Sequence, residues 1–109
     1  MSVITTHVLD VVLGKPAAGI AVRLDRQEGL AWTLVRENAT DSDGRCRDLA
    51  NDASPGPYRL SFATGAYLKH LDRGSIYPEI SITFNCDGEE HYHLPLLLSD
   101  NSYTTSRGS

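Results

Sequence analysis

The sequence has little of what would direct a protein to nucleic acid or to a membrane. Its 109 residues carry 10 Lys and Arg against 14 Asp and Glu, a net charge of -4, so the basic excess that phosphate backbones require is missing. Apolar runs such as Leu94 to Leu98 are far too short to cross a bilayer. The first residues show neither the basic region nor the apolar stretch of an export signal. We therefore expect a cytoplasmic protein with no nucleic-acid partner and no membrane partner.

Cysteine is also scarce, since Cys46 and Cys86 are the two in the chain. Two cysteines could pair, but a reducing compartment keeps thiols free, and a chain of this length can bury an adequate core without a crosslink. The sequence thus favours two free, partly buried thiols over a disulfide.

Metal-binding patterns are weak. His91 and His93 could offer two zinc ligands from one face of a strand, but no Cys-x-x-Cys and no third ligand stands near them. Asp41-Ser-Asp43-Gly44 begins like a calcium loop, yet the later carboxylates are missing, which favours a plain turn. We expect neither a metal nor an organic cofactor.

What the sequence does contain is a series of short segments in which apolar and polar residues alternate, the period of a half-buried strand. The predicted strands are 3–12, 20–25, 31–39, 46–49, 58–63, 78–85, 91–98 and 102–105. Residues 51–57 read as a loop, Asp87-Gly88 as a hairpin turn joining its two flanking strands, and 66–73 as one short helix ended by Gly74. The prediction is an all-β fold, a two-sheet antiparallel sandwich of seven or eight strands, as a single domain over residues 1–109.

The same alternation indicates which way the histidines face. Tyr92, Leu94, Leu96 and Leu98 share one face of their strand, so His93 points outward. The face of His7 also carries Thr5, Leu9 and Val11, and parity alone does not settle its burial. A histidine on a strand is more often solvated or hydrogen-bonded than catalytic, and no nucleophile elbow or phosphate-binding loop is present. The residues alone leave two possibilities for this outward face, a wet surface or the floor of a groove between subunits.

Five blocks of sequence together resemble the transthyretin-related protein family, and more closely its purine-degrading hydrolase branch. They span essentially the whole chain in the order of the family: Thr5-Thr-His7-Val-Leu-Asp10, Thr40-Asp-Ser-Asp-Gly-Arg45, Tyr77-Pro-Glu79-Ile, His91-Tyr-His93-Leu-Pro-Leu-Leu-Leu-Ser99 and Arg107-Gly-Ser109. The resemblance implies a transthyretin-like sandwich assembled as a homotetramer, a dimer of dimers, with sites in the grooves where the dimers meet. It also implies hydrolysis of 5-hydroxyisourate to 2-oxo-4-hydroxy-4-carboxy-5-ureidoimidazoline without a cofactor.

The resemblance further implies which residues act. The implied catalytic residues are His7, Arg45, His93 and Ser109, and the implied substrate-binding residues are Arg45, Ser106, Arg107, Gly108 and Ser109. Ser106 departs from the pattern, because the family has a tyrosine there, and losing its ring removes an aromatic wall from the expected pocket. The alternative is a transthyretin-like small-molecule binding protein with little or no hydrolase activity.

Overall fold

Strands make up most of the chain in the computed structural model, which describes residues 2–88 and 91–108. In chain order the elements are β1 (Ser2–Asp10), β2 (Lys15–Pro16), β3 (Ala21–Glu28), β4 (Ala31–Ala39), β5 (Arg45–Ala53), β6 (Gly56–Phe62), α1 (Thr64–His70), β7 (Ile80–Cys86), β8 (His91–Leu98) and β9 (Tyr103–Thr105). The described residues thus form nine strands, against seven or eight predicted. The two-residue β2 is the strand that was not foreseen.

The strands form two sheets, as the sequence predicted. In the first sheet β1 pairs with β2 and β5 along one edge and with β8 along the other, and β9 follows β8. The second sheet has the order β4-β3-β6-β7. Almost every pairing is antiparallel, but β1 and β8 run parallel over eight residue pairs. That parallel pair lies at the centre of the first sheet and sets two outward-facing rows of side chains next to each other.

The predicted hairpin between β7 and β8 is wrong. β7 pairs with β6 in the second sheet, whereas β8 pairs with β1 and β9 in the first, so the Asp87-Gly88 segment carries the chain from one sheet to the other. Tyr92 supports this crossing from the core side, because its hydroxyl accepts a hydrogen bond from the Asp87 amide at 2.9 Å and donates one to the Asp87 carboxylate. The Asp87-Gly88 pair therefore lies in a connection between the two sheets, and its flanking strands are not partners.

The core lies between the sheets and is built from the alternating residues that the sequence predicted. Leu60 and Phe62 of β6 and Leu96 of β8 are fully buried, together with Ile4 and Val8 of β1. Each such side chain contributes about 1.5–3 kcal/mol by leaving water. Cys46 and Cys86 are free and lie in this core, which confirms the expectation of unpaired thiols.

Several strand boundaries differ from prediction, and the largest shift is at the end of β5. β5 continues to Ala53, since its pairing with β1 contains register shifts that let Asn51 and Asp52 remain exposed along the strand. The predicted loop 51–57 is correspondingly short, because β6 already begins at Gly56. β1 ends at Asp10, before the predicted end at residue 12.

The predicted helix exists but spans Thr64–His70, two residues earlier than expected at its start. Gly74 does not end it, because Asp72 takes the left-handed position with φ 58°. The amides of Asp72 and Arg73 then bond to the carbonyls of Lys69 and Leu68 at 3.0 and 2.8 Å, a Schellman arrangement. Aspartate tolerates this conformation better than most residues. Within the described ranges, no helix has the length and apolar character needed to span a membrane.

A buried ionic cluster joins the end of β1 to the segment after α1. Asp10 is fully buried and accepts hydrogen bonds from Arg73 at 2.5 Å and from Tyr67 at 2.9 Å. Arg73 also pairs with Asp100 at 2.5 Å, just after β8. Burial alone would raise the pKa of Asp10, but the bonds from Arg73, the Leu13 amide and Tyr67 outweigh it and hold that pKa below its usual value. The cluster fixes the helical side of the fold to the first sheet.

Candidate active site

Three predicted site residues meet on the outer face of the first sheet. On β1 the side chains of Ile4, Thr6 and Val8 enter the core, so His7 points outward and is half-buried, which settles the burial that parity left open. His93 points outward from β8, as predicted. Arg45 stands directly opposite His7 in the pairing of β5 with β1.

The histidine rings lie close together along this face. The ring centroids of His7 and His93 are 6.3 Å apart with 27° between their planes, and those of His91 and His93 are 6.2 Å apart. Beside them is a cleft of about 330 Å³ lined by Val3, Thr5, Thr6, Arg45, Arg47, His91 and His93. The cleft combines imidazole and guanidinium groups, a set that can exchange protons and bind electron-rich oxygen atoms.

A tight turn positions Arg45 at this cleft. The Asp41 carboxylate accepts hydrogen bonds from the amides of Asp43 and Arg45 at 2.8 and 3.0 Å, and Gly44 takes φ 73°. A Cβ atom on Gly44 would lie 2.4 Å from the carbonyl oxygen of Val8, so glycine lets the turn press against β1 beside His7. The predicted turn is therefore confirmed, and it places a cation next to a histidine.

The surroundings of His7 and His93 favour their neutral forms. Burial lowers the pKa of His7, the positive charge of Arg45 lowers it further, and Asp41 and Asp43 oppose the shift only in part. Burial also lowers the pKa of His93, with further lowering by His7, His91 and Arg45. Both rings are consequently neutral at pH 7, the form in which a histidine accepts a proton.

The carboxy-terminal segment is held against β8. Beyond the end of β9, the amide of Gly108 donates a 2.7 Å hydrogen bond to the carbonyl oxygen of His93. A Cβ atom on Gly108 would lie 3.0 Å from Cδ2 of the His93 ring and 3.3 Å from Cδ of Pro95, so the backbone passes very close to that ring. The predicted tail therefore reaches the histidine cluster.

Other predicted tail residues occupy different positions. The guanidinium of Arg107 lies 4.2 Å from the centre of the ring of Tyr92, a residue on the core side of β8. It also donates a hydrogen bond to the His91 carbonyl oxygen at 3.2 Å. Ser106 is exposed. Ser109 lies outside the described residues. The structure thus brings together His7, Arg45, His93 and Gly108, while Arg107 anchors the tail to β8.

Sequence reasoning missed Thr5, His91 and Arg47 as members of the site. The Thr5 hydroxyl oxygen lies 2.9 Å from Nε2 of His91 and 2.7 Å from Nδ1 of His93. Arg47 lines the cleft two residues after Arg45. The signal that could have found them is the two-residue period, because each lies two positions from a residue that was identified.

His70, the remaining histidine, lies outside the site. His70 lines a larger hollow of about 530 Å³ beside α1, whose other lining residues are mostly small or apolar. Across residues 2–88 and 91–108, no three His, Cys, Asp or Glu side chains are grouped so that they could hold a metal ion.

Comparisons with known proteins match this chain over nearly its whole length. A family model described as the HIUase/transthyretin family matches residues 4–108. The 5-hydroxyisourate hydrolase of Salmonella typhimurium is 40% identical over 111 aligned residues, which cover 99% of this chain and 82% of that protein. The solved structure of 5-hydroxyisourate hydrolase from Klebsiella pneumoniae covers all of both chains at 35% identity with a TM-score of 0.90.

A solved structure with a different title is equally similar in fold. Sea bream transthyretin in complex with thyroxine has a TM-score of 0.92 at 30% identity, covering 96% of this chain and 93% of the other. The backbone alone therefore does not separate a hydrolase from a thyroxine-binding protein, and the separation has to come from side chains.

Proposed function

This chain belongs to the HIUase/transthyretin family, and from that membership we propose that it hydrolyses 5-hydroxyisourate in urate degradation. The observation that carries the proposal is the meeting of His7, His93 and Arg45 on one face, next to the cleft. Full-length similarity to proteins named 5-hydroxyisourate hydrolase supports the choice of substrate.

The reaction opens a ring amide of the substrate with water. One neutral histidine, His7 or His93, takes a proton from the attacking water while the water oxygen forms a bond to the ring carbonyl carbon of the substrate. The ring carbon–nitrogen bond then breaks, the leaving nitrogen takes up the proton from the histidine, and the carbonyl carbon becomes a carboxylic acid that releases its proton to solvent. The product is 2-oxo-4-hydroxy-4-carboxy-5-ureidoimidazoline. A depressed histidine pKa suits this role, because it keeps both rings unprotonated at neutral pH.

Arg45 supplies the positive charge that this chemistry needs. A guanidinium presents its donors in a planar fork, which matches a carbonyl oxygen that becomes an oxyanion or an already ionised ring edge. Its position opposite His7 supports that role, since the charge and the base are then adjacent.

The carboxy-terminal tail completes the site in this proposal. The backbone of Gly108 lies against the His93 ring, and Arg107 holds the tail there through Tyr92 and the His91 carbonyl. Ser109 would add its hydroxyl to the substrate contacts. Ser106 stands where the family has a tyrosine, and we propose that the missing ring weakens substrate packing without abolishing the chemistry.

We further propose that four chains assemble as a dimer of dimers with the site in a groove between subunits. Support comes from exposed apolar residues at the far ends of β1 and β8 from the cleft. Leu97, outward on β8, is 40% exposed, and Val11, just after β1, is 46% exposed. A second copy of the chain would cover them and enclose the cleft.

The decisive experiment mixes the protein with freshly prepared 5-hydroxyisourate and follows ultraviolet absorbance against spontaneous decay. Acceleration above the spontaneous rate supports the hydrolase. Absence of acceleration, together with saturable binding of thyroxine, would instead favour the second candidate, a small-molecule binding protein, which the likeness to thyroxine-bound sea bream transthyretin favours.

Ser106→Tyr in the same assay measures the effect of the missing ring. We expect the variant to turn over 5-hydroxyisourate faster than the parent or with a lower KM. Thr104→Tyr, also exposed and two residues earlier in β9, controls for adding an aromatic ring to this edge. Equal kinetics for parent and Ser106→Tyr would show that position 106 is not part of the pocket.

A further inference from the structure

Thr5 joins two histidines of the cleft through a single oxygen atom. Its hydroxyl oxygen lies 2.7 Å from Nδ1 of His93 and 2.9 Å from Nε2 of His91. Thr5 stands beside His93 in the register of β1 and β8, and it is only 8% exposed. Because a threonine in a strand has few allowed χ1 rotamers, this oxygen is a fixed point between the two rings.

The single hydrogen on the Thr5 hydroxyl limits the hydrogen bonds that it can form. A hydroxyl has one hydrogen to donate and two lone pairs that accept. Thr5 can therefore donate to at most one of the two ring nitrogens, and the other ring must donate its own N–H to Thr5.

The chemistry of His93 favours one of the two arrangements. If Thr5 donated to Nδ1 of His93, that bond would be lost each time the ring took up a second proton. If Thr5 accepts from Nδ1–H, the bond persists in both the neutral ring and the imidazolium. A general base passes between these two forms in every turnover, so the second arrangement keeps the ring oriented throughout.

We propose that Thr5 is a positioning residue whose hydroxyl accepts the Nδ1–H of His93 and donates to Nε2 of His91, which leaves the basic lone pair of His93 on Nε2. This assignment rests on the proposed function, since it defines the form in which His93 acts as base. His91 serves as the acceptor that keeps the Thr5 hydrogen directed away from His93.

The ring of His93 is restrained on a second side as well. Its Cδ2 atom faces Gly108, where an added Cβ would approach to 3.0 Å. The charged and titratable groups that act on it are His7 on β1, His91 on β8 and Arg45 on β5. Arg47 on β5 lines the same cleft, and Asp41 and Asp43 in the preceding turn act on His7. None of these except His91 bonds to the Thr5 hydroxyl among the described residues. Removing that hydroxyl therefore changes the tautomer of His93 without removing a charge.

The kinetic test uses Thr5→Val, which keeps the shape of the side chain, and Thr5→Ser, which keeps the hydroxyl. We expect Thr5→Val to lower kcat about tenfold with KM nearly unchanged, the scale of one lost hydrogen bond, and Thr5→Ser to restore most of the rate. Thr83→Val, exposed on β7 in the other sheet, is the matched control. In a His93→Asn background, Thr5→Val should cause no further loss, because the ring it positions is gone.

A second readout does not depend on activity. In ¹⁵N-histidine-labelled protein above pH 7, His93 of the parent should carry its proton on Nδ1, whereas Thr5→Val should shift it toward Nε2–H, the form that predominates in free histidine. A parent His93 protonated on Nε2 would overturn the proposal, and so would Thr5→Val with unchanged tautomer and kcat. A parent with Nδ1–H on His93 but no hydrolysis would contradict the proposed function and leave the Thr5 arrangement standing.

Discussion

Among single residues, the proposed chemistry depends most on two histidines that stay neutral next to an arginine. Removing either ring tests this directly. Asparagine at position 7 or 93 keeps a hydrogen-bonding group but cannot take up a proton, so we expect the turnover of 5-hydroxyisourate to fall about a hundredfold or more. Steady-state kinetics measures the loss, and circular dichroism should show an unchanged fold because both side chains lie on the outer face.

His70→Asn is the control for this pair, since His70 lies on α1 outside the cleft. It should keep the parental rate. Full turnover in both His7→Asn and His93→Asn would contradict the proposed use of these rings.

Arg45 should set the pH at which activity is lost on acidification. Because the pKa values of His7 and His93 lie below the ordinary value of about 6.5, both rings are more than half neutral at that pH and become mostly charged only below it. The rate should therefore be constant near neutrality and fall as pH decreases below about 6.5. Arg45→Gln removes a charge that lowers both pKa values, so the fall should begin at higher pH, with a reduced rate throughout.

A profile of kcat/KM against pH for parent and variant measures this shift. Arg36→Gln, on β4 and paired with Asp48, removes the same charge elsewhere and should leave the profile unchanged. An acid limb at the same pH in Arg45→Gln and parent would mean that Arg45 does not act on the histidines.

The two-residue period of the sequence was sufficient to place His93 on the outer face, and it placed Thr5 on the same face as His7. It could not show that the Thr5 hydroxyl lies between His91 and His93, because that depends on which strands are neighbours. The two hydrogen bonds of Thr5 join residues that are 86 and 88 positions apart in the chain. The pairing of β1 with β8 brings them together, and no local pattern encodes that pairing.

At the scale of elements, the tail tests whether close backbone packing matters for the site. Gly108→Ala would bring a Cβ to 3.0 Å from the His93 ring and 3.2 Å from its carbonyl oxygen, so the tail or the His93 ring has to shift by a few tenths of an ångström. We expect activity to fall several-fold or more while the unfolding midpoint changes little, because the tail contributes few core contacts. Gly74→Ala is the control, since nothing lies within 4 Å of the added Cβ. Unchanged kinetics for Gly108→Ala would separate the tail from catalysis.

The buried ionic cluster should stabilise the fold rather than support the reaction. Asp10→Asn leaves the Arg73 guanidinium without its buried partner, and the expected loss is about 3 kcal/mol of unfolding free energy. Because the folded-state pKa of Asp10 is lowered, its contribution is complete above the unfolded value of about 3.9 and is lost as pH falls through the folded value.

Urea denaturation at pH 7 and at pH 3 measures this difference. The gap in unfolding free energy between parent and Asp10→Asn should be large at pH 7 and smaller at pH 3. Asp52→Asn, exposed on β5, should match the parent at both. An Asp10→Asn variant as stable as the parent at pH 7 would contradict the assignment.

The end of α1 and the partners of β7 and β8 are features that local sequence patterns did not determine. The existence of α1 followed from its composition, but its end depends on Asp72 adopting φ 58° to close a Schellman arrangement, a role that the sequence assigned to Gly74. The Asp87-Gly88 pair predicted a hairpin turn, but in the described residues it forms a bend after β7. It did not predict that β7 and β8 belong to different sheets, because turn chemistry specifies a change of direction and not the partner of the next strand.

For the whole molecule, the two-sheet architecture followed from the number of alternating segments, because each needs one buried face. The assembly does not follow in the same way, since it depends on what covers the outer face of the first sheet. That face is polar at the histidines and apolar farther along, where Leu97 stands opposite Leu9 in the register of β8 and β1. Such a surface favours burial against another copy of the chain.

Leu97→Glu tests whether the assembly and the active site depend on each other. The parent should sediment as four chains of 11.9 kDa, and a carboxylate in the covered surface should dissociate it, because a buried unpaired charge costs several kcal/mol. Leu30→Glu introduces the same charge at a fully exposed position in the β3–β4 turn and should remain tetrameric and active. If the groove between subunits forms the site, Leu97→Glu loses turnover together with its assembly. A dissociated variant that kept full turnover would show instead that His7, Arg45 and His93 act within one chain.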